Sequence, residues 1–527
     1  MRMVTSDYVC HMKSPDLASH TAALLDCEDT LYKQVALRIS ELIEHGTLRP
    51  GERVPSVRKC SEQQNVSIAT VMQAYRLLEN RGIIEGRPQS GYYVRAQRWT
   101  APPEPGRSKP TPRPVEVRVS DLIMQVVKAG RDPSLVRLGA TLPSPELFPL
   151  QQLHRATTAV SRRSPLAANT YDPPPGNRGL RVQVARRAME AGCTLAPDDI
   201  ITTVGVTEAL NLCLRAVAAP GDVIAIESPA FFGILQIIEA LGMRVCEIPT
   251  FPRDGICLDE LADRLKTCRI KACVFTLNYS NPLGSCMPDS KKQKLVKMLA
   301  EREVPLIEDD LYGNLTFGPK RPKAAKAYDE DGWVMLCDSF TKTLSPGYRV
   351  GWVAPGRFKE RVEFLKFVNT AANPALPQMA IAEFLQNGGF ERHLRKIRRC
   401  YANQMQCMSA AVSRYFPPGT KATRPEGGMS LWVELPAHVN SLTVYQQALA
   451  AGISTAPGPL FSAKQKFQNF IRLNFGNPWT EKIEKAVQLL GQIVHRAAER
   501  GDTTAVGITR NFVQANAPNS GSSSVSA

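Results

Sequence analysis

The chain has 527 residues, 43% of them hydrophobic and 22% charged, with a formal net charge of +16. That length allows two to four domains with cores of their own, and the mix is that of a soluble globular protein, with no apolar run of about eighteen residues to span a bilayer. The start, MRMVTSDYVCHMKSPD, has no signal-peptide core, and thirteen cysteines without a C-x-x-C pair lead us to expect reduced thiols in a cytoplasm, with no metal site and no membrane.

Residues 1–29 are a polar lead, expected to be flexible. The first thirty residues hold two basic against five acidic side chains, whereas residues 31–100 hold eleven against six. Such an excess suits a polyanion but equally a plain basic surface. LYKQVALRISELIEHGTL places Leu31, Val35, Ile39, Leu42 and Ile43 at helical spacing, and Gly46 with Pro50-Gly51 stops it. Ser56, after Pro55, is a natural N-cap for a second helix, and Ser67 caps a third, IATVMQAYRLLENRG. That third helix turns Val71, Ala74, Leu77 and Leu78 inward. IIEGRPQSGYYV then reads as two short strands about a Gly/Pro/Ser turn.

Three helices and a hairpin over residues 30–94 make an α+β winged helix-turn-helix. The pattern L-x-P-G-x-x-x-P-S-x-R followed by V-S-x-x-T-V-x-x-A-Y-x-x-L resembles the GntR family of bacterial transcription regulators. That resemblance implies double-stranded operator DNA as partner. It implies contacts from Arg58, from Ser67, Thr70 and Arg76 around the recognition helix, and from Arg87 and Gly91 on the wing. Ile68 stands where the family usually has arginine or lysine. Either a phosphate contact is missing there, or an apolar contact such as one to a thymine methyl replaces it.

Residues 95–117, RAQRWTAPPEPGRSKPTPRPVEV, carry six prolines and read as a semi-extended basic tether between separately folding units. From 118 to 500, strand-like and helical runs alternate, as in α/β layers. Residues 222–227, 271–277, 304–309 and 332–340 read as buried strands, and ligand groups collect at the carboxyl ends of such strands. Chemistry-bearing residues fall at those ends: Tyr171 in a Pro/Gly loop, the amides near Val206 and Thr207 at a helix start, Phe231, Asn281, then Asp309 and Tyr312. Arg472 follows later, ahead of an apolar pair. In DSFTKTLSPGYRVGW, Lys342 can condense with an aldehyde while hydroxyls and Arg349 can hold a phosphate. Residues 501–527, rich in serine and glycine, are expected to be disordered.

The 338–352 stretch resembles the Schiff-base segment of fold-type I aminotransferases, and the 118–500 module resembles the aminotransferase class I/II fold, an α/β architecture with a large and a small subdomain. By that resemblance pyridoxal 5′-phosphate (PLP) is the cofactor, with Lys342 as Schiff-base lysine and Asp309 on the ring nitrogen. Asn281 and Tyr312 bond the phenolate oxygen, and Phe231 stacks on the ring. Ser339, Arg349, Val206 and Thr207 hold the phosphate, Tyr171 reaches in from the second subunit of a homodimer, and Arg472 clamps a carboxylate. Reader, linker and aminotransferase-like module together resemble the MocR subfamily of GntR regulators. This implies a regulator that senses PLP itself or an amino compound through imine exchange at Lys342. A working aminotransferase with an appended DNA-binding domain is the alternative.

Overall fold

The computed structural model describes residues 30–500 apart from 45, 46, 49, 50, 81, 82, 88, 89, 95–100, 130 and 131. The lead (1–29) and the tail (501–527) lie outside the described residues. The chain divides into two compact units with a boundary between Ala101 and Pro102.

The first unit contains α1 (Leu31–Glu44), α2 (Val57–Gln64), α3 (Ile68–Asn80), β1 (Ile84–Arg87) and β2 (Gly91–Val94). The strands pair antiparallel, with Ile84 opposite Val94. Val35, Ala36, Ile39, Val71, Ala74, Tyr75 and Leu78 share one core with Ile84 and Val94. Leu31 and Leu42, expected on the inner stripe of α1, are exposed, and Ala36 takes the inner position instead. A 100° step per residue lets the buried face centre on 35, 36 and 39 as readily as on the larger side chains. The Ser56 hydroxyl caps α2 by accepting the Lys59 amide at 3.3 Å, and Ser67 caps α3 by accepting the Thr70 amide at 3.1 Å.

The second unit is built on a nine-stranded mixed sheet, eight strands on one path and a two-residue ninth, Gly255–Ile256, paired off it to Thr250 and Phe251. Its parts are β3 (Val115–Glu116), β4 (Ile201–Thr203), α4 (Val206–Val217), β5 (Val223–Ser228), α5 (Phe232–Ala240), β6 (Arg244–Phe251), β7 (Ile270–Phe275), β8 (Leu306–Asp309), β9 (Val334–Ser339) and β10 (Gly351–Ala354). The order is β3-β6-β5-β7-β8-β9-β10-β4, and the central strands β6, β5, β7, β8 and β9 run parallel. Parallel strands covered on both faces need continuous apolar sequence, which is why these runs were legible. Ile224, Ile226, Val274 and Ile307 feed one core, while Ala225, Cys273, Phe275 and Leu306 feed the other. A smaller antiparallel sheet, β11 (Lys421–Ala422), β12 (Ser430–Glu434), β13 (Ala456–Pro457) and β14 (Phe470–Asn474), pairs in the order β11-β12-β14-β13. This is the fold-type I aminotransferase architecture expected from the sequence.

The proline-rich stretch behaves differently from the expected tether. From Pro102 on it lies along the body as a strap. The Pro103 carbonyl accepts the Ala422 amide at 2.9 Å, and the Ser108 amide donates to the Thr250 carbonyl at 3.2 Å. Ser108 Oγ accepts the Thr250 amide at 2.9 Å, and Val115–Glu116 join the sheet edge beside β6. Proline prevents a regular ladder, but the few residues between prolines still offer backbone groups, and an edge strand takes them up. Among the described residues ten cysteines are free thiols.

Candidate functional site

Parallel strands deliver their last residues to one edge, and the candidate site forms there. Asp309 ends β8 and Lys342 stands three residues beyond β9, both buried. Asn281 and Tyr312, in the loops after β7 and β8, are buried too, and Asn281 Nδ2 donates to Tyr312 Oη at 3.4 Å. Gly205 turns the chain into α4 with φ 79° and ψ 173°. A Cβ there would sit 2.6 Å from Arg349 Nη2, so only glycine lets that guanidinium lie over the helix start.

A cavity of about 100 Å³ brings together eight of the predicted residues: Val206, Thr207, Phe231, Asn281, Asp309, Tyr312, Lys342 and Arg349. Thr276, Leu311 and Thr341 line it as well. Three predicted residues do not line this cavity, though Arg472 borders it through Asn281. The Ser339 hydroxyl accepts the Thr341 amide at 3.3 Å, and Ser339 lines a separate cavity beside Asp338. Tyr171 is 87% exposed. Arg472, on β14, is 1% exposed and donates to Asn281 Oδ1 at 2.8 Å and to the Gly139 carbonyl. Lys342 Nζ donates to the Thr141 carbonyl at 2.5 Å. The 139–141 loop was not read from the sequence as part of the site. It carries no motif and arrives only through tertiary structure, with the Leu138 carbonyl accepting the Asn474 amide at 2.7 Å.

Burial sets the site's electrostatics. It drives the Lys342 amine down to about 8, helped by Arg472 and Arg349 and opposed by Asp309. It drives the Asp309 carboxyl up to about 7, against the Leu311 amide that hydrogen-bonds it. Arg472 falls to about 10 through burial, with Tyr312 pulling the other way, and stays charged at neutral pH.

The residues present fit PLP. Asp309 is a desolvated carboxyl whose hydrogen bond is to a backbone amide at 3.3 Å, the kind of group a protonated ring nitrogen would charge. The first-turn amides of α4, the Thr207 hydroxyl and Arg349 make an anion cradle. The buried Nε of Arg472 has no partner, which leaves room for an acceptor. Gly205→Ala should push Arg349 off the helix start and weaken PLP binding by about tenfold or more. Titration with PLP checks this, and an unchanged Kd would remove the cradle from the account.

On the first unit, Arg58 and Arg76 are exposed on α2 and α3, Ser67 is exposed and Thr70 partly so. The hydroxyls of Ser67 and Thr70 share a hydrogen bond of 2.8 Å. Arg87 pairs with Glu85 at 2.8 Å and lies 4.3 Å over the Tyr93 ring. An exposed pair of this kind is worth so little that a phosphate can displace it. Gly91 has φ 96°, and Ile68 is 52% exposed at the start of α3. Among the described residues no helix is long and apolar enough to cross a membrane, and no cluster of side chains suits a metal ion.

Comparison with known proteins separates the same two parts. Residues 31–94 match the gntR family of bacterial regulatory proteins, and residues 147–490 match the aminotransferase class I and II family. The uncharacterized HTH-type transcriptional regulator YjiR of Escherichia coli (strain K12) is 38% identical over 89% of this chain and 100% of its own length. YdcR of the same organism, also an uncharacterized HTH-type transcriptional regulator, is 39% identical over 88% and 98%. Among solved structures, LysN, an alpha-aminoadipate aminotransferase from Thermus thermophilus complexed with N-(5′-phosphopyridoxyl)-L-leucine, superposes with a TM-score of 0.66. It is 28% identical and covers 73% of this chain and 100% of its own.

Proposed function

The chain belongs to the GntR-type, MocR-like bacterial transcription regulators, whose helix-turn-helix precedes an aminotransferase class I and II domain, and from that we propose that it holds PLP, senses an amino compound bearing a carboxylate, and passes the result to an operator. One observation carries this reading. The Lys342 amine and the Arg472 guanidinium are both buried at one site, and both donate to carbonyls of one short loop, Thr141 and Gly139.

A carbonyl is a poorer partner for a buried cation than a carboxylate is, so this loop can be displaced by a ligand that offers one. When bound, PLP supplies an aldehyde on which one primary amine can replace another. Lys342 reacts only as the neutral amine, and burial makes that form accessible near neutral pH. Arg472 exchanges the Gly139 carbonyl for the ligand's carboxylate. Asp309 would keep its charge toward the ring nitrogen, Phe231 would pack on the ring, and Asn281 and Tyr312 would bond the phenolate oxygen. Arg349, Thr207 and the α4 amides hold the phosphate. Tyr171, exposed on its own chain, reaches the cradle of a second copy in a homodimer. A ligand that frees the 139–141 loop makes different contacts in two states, which is what a shift in DNA affinity requires. The protein acts in the bacterial cytoplasm.

The test is a titration of the PLP-loaded full chain with amino acids, reading the visible absorption band and operator affinity together. Both should move over one concentration range, and Arg58→Ala should weaken operator binding about tenfold while leaving the band intact. Operator affinity that follows PLP and ignores every amino compound would make PLP itself the signal. Sustained turnover with an oxo-acid acceptor at about 1 per second or more would instead make the chain a working aminotransferase.

A further inference from the structure

The strap roofs a cavity of about 330 Å³ whose other walls belong to the body. Its floor is aromatic: Trp432 stacks on Phe470 with centroids 5.3 Å apart and meets Phe467 edge-on at 5.9 Å. Pro229 and Leu283 form a side wall. Each stands two positions from a cofactor-site residue, Pro229 before Phe231 and Leu283 after Asn281, on the loops that carry those residues into the other cavity. The charged groups at the walls are Arg107 and Lys109 of the strap and Lys421, which pairs with Glu434 at 3.0 Å. Arg107 is itself paired with Glu260 at 3.9 Å, which leaves Lys109 as the wall cation without a carboxylate partner among the described residues.

A volume of this size, an apolar floor and a few charged groups are the ordinary make-up of a small-molecule site. Phe467 and Phe470, half-buried over the fully buried Trp432, offer a flat aromatic body ring contacts, and Lys109 takes an acid group. We propose that the cavity under the strap is a binding site for a small aromatic anion, separate from the PLP pocket. An occupant would touch the strap on one side and the backs of the Phe231 and Asn281 loops on the other. The strap is also held along its length by bonds to the body, among them Ser108 to Thr250, Arg424 to the Pro102 carbonyl at 3.1 Å and Arg253 to Glu104 at 2.6 Å. An occupant adds a contact between the strap, whose sequence continues into the DNA-reading unit, and the cofactor loops, and so couples the two.

The full chain with saturating PLP is titrated by calorimetry with naphthalene-1-sulfonate and, as the uncharged control, naphthalene-1-methanol. One saturable site per chain is expected for the sulfonate. Lys109→Glu should weaken the sulfonate about tenfold and leave the alcohol within about twofold. An added Cβ at Gly106 meets no atom within 4 Å, so Gly106→Trp is tolerated by the backbone and should abolish binding of both. Absence of saturable binding, or wild-type binding of both probes by both variants, overturns the proposal. So does a probe that binds only when PLP is withheld. The visible band, read on the same samples, keeps a failure here distinct from a failure of the PLP reading.

Discussion

Lys342→Ala should bind PLP without developing the visible absorption band at any concentration. The cradle of Arg349, Thr207 and the α4 amides is untouched by the change, so PLP still enters. The only lysine lining the cavity among the described residues is gone, and alanine cannot replace its covalent link. A band that survives would sink the assignment of Lys342. The wild-type protein offers a companion measurement in the pH dependence of band formation. The neutral amine is the reactive form, and its fraction grows about tenfold per pH unit below the pKa. With the Lys342 amine held down to about 8, the rate should rise with pH toward that value and level off above it. A rate still climbing through the ordinary lysine range would mean the amine is not desolvated.

Arg472→Met should keep the band and lose the response to carboxylate ligands, with affinity for them falling on the order of a hundredfold or more. Methionine fills much of the same buried volume and removes the guanidinium that faces Asn281 and Gly139. One further effect separates this role from a merely structural one. Arg472 helps hold the Lys342 pKa down, so its loss should move the pH at which the band forms upward. A band with unchanged pH onset and unchanged amino-acid response would refute the clamp.

The sequence disclosed chemistry where it was local and missed it where the fold did the assembling. Asp309 and Tyr312 share one short turn, and Lys342 and Arg349 share another, so their spacing could be read directly. The parallel strands announced themselves because burial on both faces demands unbroken apolar runs. Gly139 and Thr141 were invisible because they reach Lys342 and Arg472 from about two hundred residues or more away in sequence, through backbone carbonyls that any residue type could supply. Ser339 was placed by motif, yet its hydroxyl is turned to the next backbone amide but one. The linker was misread because proline content speaks of local stiffness and says nothing about which surface the chain lies on.

The pinned strap also limits geometry on DNA. The covalent path from Val94, the last residue of β2, to Pro102, where the docked segment begins, is eight residue steps, about 28 Å when fully extended. A free tether of the length first read from the composition would extend to roughly 80 Å. In the proposed homodimer, a leash this short would raise the effective concentration for capture of the second half-site once the first is engaged. It also narrows the choice of operators. In the proposed homodimer, two half-sites would have to fall within the separation set by two such leashes, and on one face of the duplex.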